Sequence, residues 1–248
     1  MKTIATINFK GGVGKTTITW CLGDVLSQRE GSNILLFDLD AQASLTQSIE
    51  FGQRRDEFTL WKKNSEEQKN TIHAALNQFL HQTGEFKFQP DENFIYQINS
   101  KYHFVPAMND LYWVGLDSFD PERGRVFIRR ILEKIVNSSK FPDYDYVIFD
   151  CPPSFTPLSY SVLTCCDLVL IPVNPDFFAV KGVDLLMKGC KTASKSTRSL
   201  KLRFLLIVCR RRGRILGLNR HIKHILGWQK SESLVKRRTK YRVLMCVS

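Results

Sequence analysis

Residues 8–17 read Asn8-Phe9-Lys10-Gly11-Gly12-Val13-Gly14-Lys15-Thr16-Thr17. A short apolar, β-branched stretch at residues 3–7 precedes them and predicts a strand, and the stretch from Lys15 to about Ser27 predicts a helix. Glycines between a strand and a helix allow the backbone to curve without Cβ clashes, and the N–H groups of the first helical turn then point to one place. The positive end of the helix dipole points there too, so this arrangement predicts an anion-binding loop.

The residue types of the loop predict a site for the phosphates of a nucleotide. We expect the Lys15 side chain to reach the β- and γ-phosphates and the Thr16 hydroxyl group to bind Mg²⁺. The usual pattern has a glycine five residues before Gly14, where this chain has Phe9, and a second lysine, Lys10, follows it. The residues predicted to contact the nucleotide are Gly11, Gly12, Val13, Gly14, Lys15, Thr16 and Thr17.

Acidic residues follow two further apolar stretches. Asp38 is the last residue of the apolar run at residues 33–38, and Asp40 lies two residues after it. Asp150 is the last residue of the run at residues 144–150. Ligands of open α/β sheets bind at the carboxyl ends of the strands, so we expect Asp38 and Asp40 to lie beside the loop. A carboxylate near a γ-phosphate and Mg²⁺ can order and polarise an attacking water molecule. The alternative for two acids at a strand end is a helix N-cap.

Four segments together resemble the ParA/MinD superfamily of ATPases, in the family's order. Residues 10–17, with two lysines, resemble its deviant Walker A box, and residues 38–46 resemble the D-x-D-P-Q-x-S box of ParA proteins with Ala41 in place of proline. Residues 146–154 resemble the Walker B strand and second switch, and residues 167–175 resemble the next strand and its proline-marked loop. The resemblance covers roughly residues 1–208.

The resemblance implies a role for each matching residue. It implies that Lys10 crosses a dimer interface to the partner's nucleotide and that Asp40 positions the hydrolytic water molecule. It also implies that Asp38 supports the metal and the switch region, while Asp150 holds Mg²⁺ through a bound water molecule, since Mg²⁺ retains much of its hydration shell. The catalytic residues would be Lys10, Lys15 and Asp40, and the metal-binding residues Thr16, Asp38 and Asp150.

The alternation of predicted strands and helices indicates an α/β fold, a P-loop NTPase with a mostly parallel twisted sheet and helices on both faces. We expect an ATPase domain at residues 1–208 and a basic segment at residues 209–248. Within the domain, residues 51–101 are polar and are predicted to be a surface excursion with one helix at residues 71–82. The remaining predictions are helices at residues 121–137 and about 180–194, and strands at residues 102–106, 167–173 and 202–208.

The charge of the chain is strongly uneven. The formal net charge is +12, with −1 in residues 1–200 and +13 in residues 201–248. Such a basic block predicts a surface for a polyanion, with nucleic acid first and an anionic membrane second, or else a solvated tail. No apolar run approaches the ~20 residues that span a bilayer, and the seven cysteines form no C-x-x-C pair, which favours reduced thiols in a cytosol.

These observations predict an ATP-dependent dimerising switch for plasmid or chromosome partition. By the resemblance, the ATP-bound homodimer holds DNA nonspecifically through basic C-terminal residues, a ParB-type partner stimulates a slow hydrolysis, and the protein is cytoplasmic and nucleoid-associated when ATP-bound. One alternative is a MinD-like positioning ATPase that attaches to a membrane through a basic helix at residues 235–245 without stable insertion. Another is a nucleotide-binding relative without turnover, inactive through an altered C-terminus.

Overall fold

The computed structural model describes residues 1–52, 55–81, 84–108, 110–112 and 124–173, the backbone of residues 203–208, and residues 183, 185, 186, 188 and 189. Its strands are β1 (Lys2–Thr6), β2 (Ile34–Asp38), β3 (Tyr96–Asn99), β4 (Tyr102–Val105), β5 (Tyr146–Asp150), β6 (Leu168–Val173) and β7 (Arg203–Val208). They form one sheet in the order β3-β4-β2-β5-β1-β6-β7. All neighbouring strands run parallel except β3, which is antiparallel to β4.

The central strands β2, β5 and β1 bring their carboxyl ends to one edge of the sheet. Every residue of β2 is buried, as expected for an apolar strand that is covered on both faces. The register places Asp38 of β2 opposite Asp150 of β5, and Asp150 opposite Thr6 of β1. The segments that follow these three strands therefore begin side by side.

Helices cover both faces of the sheet. They are α1 (Lys15–Glu30), α2 (Ser44–Gly52), α3 (Arg55–Glu67), α4 (Ile72–His81), α5 (Phe127–Val136) and α6 (Pro157–Leu163), and residues 183, 185, 186, 188 and 189 are also helical. One apolar core joins α4, α5 and α6 to one face, and a second joins α1 and α2 to the other. The predicted α/β architecture with a mostly parallel sheet is confirmed.

The helix predicted for residues 121–137 is interrupted by a turn at residues 125 and 126, between the helical Gly124 and α5. Residues 121–123 lie outside the described part of the chain, and α5 starts only at Phe127. At this turn, the carbonyl oxygen of Arg125 accepts hydrogen bonds from the hydroxyl groups of Ser161 in α6 and of Thr164, which directly follows α6. Val136, the last residue of α5, is 54% exposed because one residue rotates it by about 100° from the buried Ile135.

Residues 51–101 are more than the predicted surface excursion. The predicted helix is α4, but α3 precedes it and β3 extends the sheet. Several apolar side chains of this segment are buried, among them Phe58, Ile72, Leu76 and Phe94. The polar composition hid these contributions because most other positions of α3 are exposed.

The other predicted strands are confirmed to within two residues, including β7, which pairs with β6 in the predicted position. The basic segment at residues 209–248 lies outside the described residues. Of the seven cysteines, the four described ones (Cys21, Cys151, Cys165 and Cys166) are free thiols. No helix in the described ranges is both long enough and apolar enough to cross a bilayer.

Candidate functional site

The glycine-rich loop connects β1 to the N-terminus of α1. Gly14 has φ 91° and precedes the first helical residue, and Gly12 has φ 69°. Both values lie in the left-handed region, where side chains with a Cβ are strained, so these two positions require glycine. No side chain caps α1. The backbone N–H groups of its first turn therefore remain available to an anion.

The two lysines of the loop lie in different environments. Lys15 is 8% exposed, whereas Lys10 is an exposed residue. The backbone position of Lys10 is fixed by Asn8, which is buried and accepts a hydrogen bond from the Lys10 N–H at 3.0 Å. The Asn8 amide also donates to the carbonyl oxygen of Pro172 at 2.6 Å. Asn8 thus ties the loop to the end of β6, a function that the sequence analysis did not assign to it.

Asp150 is a buried carboxylate without a hydrogen-bond partner. It is 1% exposed, and neither oxygen has a partner within ordinary limits of distance and angle. Burial, together with the charge of Asp38, raises its pKa to about 8, although the nearby Thr16 hydroxyl group and the Lys15 charge lower it. An unpaired buried carboxylate of this kind is costly unless a cation or a proton neutralises it. The residues present therefore fit a divalent cation at Asp150 and Thr16.

Asp38, its neighbour across the strands, is also fully buried but has three hydrogen-bond donors. Its Oδ2 accepts from the N–H and the hydroxyl group of Thr46, at 2.9 and 2.8 Å, and its Oδ1 accepts from the N–H of Asp40 at 3.2 Å. Burial raises the pKa of Asp38 to about 6, while the Thr46 and Asp40 hydrogen bonds lower it. The two strand-end carboxylates therefore differ: one is held by the protein and the other is not.

The turn between β2 and α2 carries Asp40, which is half-buried. Its carboxylate accepts from the N–H of Gln42 at 3.0 Å, and its carbonyl oxygen accepts from the N–H of Ala43 at 2.8 Å. Ala43 has φ 51°, which is unusual for a residue with a Cβ. Asp38 accepts from the first turn of α2, so the helix-cap alternative describes part of its contacts, but Asp40 bonds within the turn itself.

The segment after β5 packs against the phosphate-binding loop. The ring of Phe155 meets the ring of Phe9 edge-to-face with centroids 4.8 Å apart. Phe155 also contacts Gly189 so closely that a Cβ at Gly189 would lie 2.0 Å from the Phe155 ring. Phe9, which occupies the position of the usual glycine, therefore contacts the residue that directly follows the predicted second switch.

The structure thus brings most of the predicted site residues to one edge of the sheet. The loop residues Gly11 to Thr17 adjoin the strand ends of Asp38 and Asp150, and Asp40 follows directly. Thr17 and Lys10 are exposed, outside the buried group. The sequence analysis assigned no function to Asn8 or Thr46. The position of Asn8 two residues before Lys10 was a signal, because an Asn side chain often accepts from a backbone N–H two residues later. Thr46 lies in the same segment as Asp38, where a hydroxyl group could donate to the carboxylate.

Comparison with known proteins identifies the family. Residues 1–203 match a family model described as an AAA domain. The chain belongs to this family. Its relatives include a ParA family protein of Chlamydia pneumoniae (30% identical over 187 residues) and the chromosome partitioning protein ParA of Caulobacter vibrioides (29% over 188 residues). The resemblance to ParA-type partition ATPases is confirmed.

The matches cover 75% and 76% of this chain but only 64% and 61% of those two relatives. Among solved structures, a plasmid partition protein from Borrelia burgdorferi bound to AMPPNP has a TM-score of 0.68 at 23% identity, covering 92% of this chain and 81% of that chain. At this level of identity the likeness shows the shared fold alone. The P-loop α/β fold predicted from the sequence agrees with it.

Proposed function

We propose that this ParA-type chain is an ATP-dependent dimerising switch that acts in plasmid or chromosome partition. The observation that carries the proposal is the buried Asp150 at the end of β5, which lies beside Thr16 and Lys15 of a loop whose N–H groups are available to phosphate. The names of the relatives and the AMPPNP in a structural neighbour support the choice of ATP and of partition.

The phosphate-binding loop holds the nucleotide in this proposal. The N–H groups of residues 11–17 and the buried Lys15 ammonium group bind the phosphates, because positive charge and orphan donors converge there. Thr16 and Asp150 hold Mg²⁺, with Asp38 in support. When bound, Mg²⁺ neutralises charge that develops on the phosphates.

Asp40 is the residue that we assign to the attacking water molecule. It lies two residues beyond the end of β2, and its backbone is tied to Asp38, so its carboxylate is carried on a short, hydrogen-bonded turn. A carboxylate held in this way can accept a hydrogen bond from water and orient it for in-line attack. Hydrolysis would be slow until a ParB-type partner stimulates it.

Lys10 is assigned to the partner subunit's nucleotide. Its backbone is anchored by Asn8, while its side chain lies on the exposed side of the loop. A lysine that is fixed at its base and exposed at its tip can reach a second phosphate group across an interface. ATP would therefore favour a homodimer, which hydrolysis dissolves.

The basic C-terminal segment is assigned to DNA. Residues 201–248 carry a net charge of +13, enough to neutralise several phosphates without reading the bases. The ATP-bound dimer would double this charge and associate with the nucleoid. The ADP-bound monomer would leave it.

The test is co-sedimentation with nonspecific DNA in ATP, in ADP and without nucleotide, with phosphate release measured in parallel. We expect DNA binding with ATP only, and its loss when Lys236, Arg237 and Arg238 are replaced by glutamine. A matched control replaces Lys62 and Lys63 of α3 by glutamine and should bind normally. Binding that ignores the nucleotide, or binding to anionic vesicles in preference to DNA, would contradict the proposal.

A further inference from the structure

Thr46 occupies an unusual position for a threonine of a surface helix. It is the third residue of α2 and is 1% exposed. Its backbone N–H and its hydroxyl group both donate to the same oxygen, Oδ2 of Asp38. Two donors on one oxygen fix the plane of a carboxylate as well as its position.

The hydroxyl group of Thr46 also accepts a hydrogen bond. The N–H of Ala107, in the segment that follows β4, donates to it at 2.9 Å. A hydroxyl group has one proton and two lone pairs, and here the proton is donated to Asp38 while one lone pair accepts from Ala107. Both capacities of the hydroxyl group are in use, and its orientation is therefore determined.

The two carboxylate oxygens of Asp38 have different hydrogen-bond donors. Oδ2 is occupied by Thr46, whereas Oδ1 has only the longer bond from the Asp40 N–H at 3.2 Å. Oδ1 is therefore the oxygen with acceptor capacity left. Because the Asp40 backbone is attached to this same oxygen, whatever turns the Asp38 carboxylate also moves Asp40.

We propose that Thr46 is a positioning residue, which sets the orientation of Asp38 and through it the placement of Asp40 in the site. The inference rests on the proposed function, in which Asp38 supports the metal and Asp40 orients water. Its structural part, that Thr46 acts through Asp38, stands without that function and can be tested separately.

The segment after β4 gives the Thr46 hydroxyl group a firm support. Asp110 accepts from the hydroxyl group of Thr71, which directly precedes α4, at 3.1 Å, and its carboxylate lies 3.1 Å from Nδ1 of His73 in the first turn of α4. Thr46 thus bonds to a segment that is itself anchored to another helix. A support of this kind prevents the hydroxyl group from turning away when Asp38 changes its charge or its ligand.

The experiment compares Thr46→Val, which keeps the shape and removes the hydroxyl group, with Thr46→Ser, which keeps both hydrogen bonds. The matched control is Thr19→Val, since Thr19 is equally buried but its hydroxyl group has no partner among the described residues. The measurements are kcat and KM for ATP hydrolysis and the Mg²⁺ concentration at half-maximal rate.

We expect Thr46→Val to lower kcat roughly 10- to 100-fold, as for a lost hydrogen bond to a charged group, with KM for ATP changed less than about threefold. Thr46→Ser should recover most of the rate, and Thr19→Val should behave as the wild type. Equal kcat values in Thr46→Val and Thr19→Val, or failure of serine to restore the rate, would overturn the proposal.

A double-mutant cycle in the unfolding equilibrium separates this inference from the proposed function. Thr46→Val and Asp38→Ala should be strongly non-additive, because each removes the hydrogen bond from the Thr46 hydroxyl group to Asp38. If the wild type hydrolyses no ATP, the proposed function is wrong. A non-additive cycle would still support the inference that Thr46 acts through Asp38. Additive effects would overturn the inference whatever the rate of hydrolysis.

Discussion

Replacing Asp150 by asparagine should stabilise the nucleotide-free protein above neutral pH, although it removes a proposed metal ligand. Asp150 is buried without a hydrogen-bond partner, and its pKa is raised from 3.8 to about 8. Between these two values the folded state retains a proton that the unfolded state has released. Raising the pH therefore favours unfolding, and the stability that is present at low pH is lost as the pH rises toward 8.

The size of the effect follows from the shift in pKa. With about 1.4 kcal/mol for each pH unit in the interval, Asp150 alone lowers the free energy of unfolding by about 4 kcal/mol between pH 5 and pH 8. Asp38, with a pKa of about 6, contributes in the same direction at the lower end of this range. Asparagine has nearly the same shape and no charge, so the Asp150 part of the pH dependence should disappear.

The assay is urea denaturation at pH 5, 6, 7 and 8 with a chelator present and without nucleotide. The control is Asp143→Asn, which removes an exposed carboxylate from the segment just before β5. The wild type and Asp143→Asn should lose stability in parallel, whereas Asp150→Asn should lose about 4 kcal/mol less. The same pH dependence in all three proteins would refute the reasoning, since Asp150 would then be solvated or paired in solution.

Three further substitutions test other parts of the account. Lys15→Ala should abolish nucleotide binding, measured by calorimetry, because it removes the buried cation of the loop; affinity within threefold of the wild type would contradict its role. Burial lowers the pKa of His103, whose Nδ1 lies 2.6 Å from the Tyr144 hydroxyl group, so stability should fall as the pH drops below about 6.5. Replacing both His103 and Tyr144 by phenylalanine should remove this pH dependence. If the free energy of unfolding, measured by denaturation, still falls as steeply with decreasing pH, the explanation is wrong. Gly189→Ala should destabilise the protein by about 1–3 kcal/mol through overlap with Phe155; Phe155→Ala in the same chain should recover most of the loss, and a loss that persists would show another cause.

The sequence predicted the architecture well because its strongest signals are local. The sequence runs of β2 and β5 are apolar at successive positions, as is typical of a parallel strand with helices packed on both faces. The acidic residue at the end of each run marks the carboxyl edge of the sheet, where ligands bind. The glycines at positions 12 and 14 occur where the backbone has positive φ. These features do not depend on distant contacts.

What the sequence did not predict depends on contacts between distant segments. The turn before α5 is bonded to the hydroxyl groups of Ser161 and Thr164, more than thirty residues away. The bond between Thr46 and Ala107 spans 61 residues, and no periodicity indicates it. The apolar residues of α3 were overlooked because few of its positions are buried, so its pattern is that of a polar segment.

The central claim is that ATP drives this chain into a dimer through Lys10 of each subunit, and that Asp40 ends that state by hydrolysis. The most direct measurement is the molar mass in solution, by light scattering, of Asp40→Ala with ATP and Mg²⁺, and of the same variant carrying Lys10→Ala. The account predicts a doubled mass with ATP but not with ADP for the first protein, and a monomer that still binds ATP for the second. A mass that is the same in ATP and ADP, or a dimer that persists without Lys10, would contradict it.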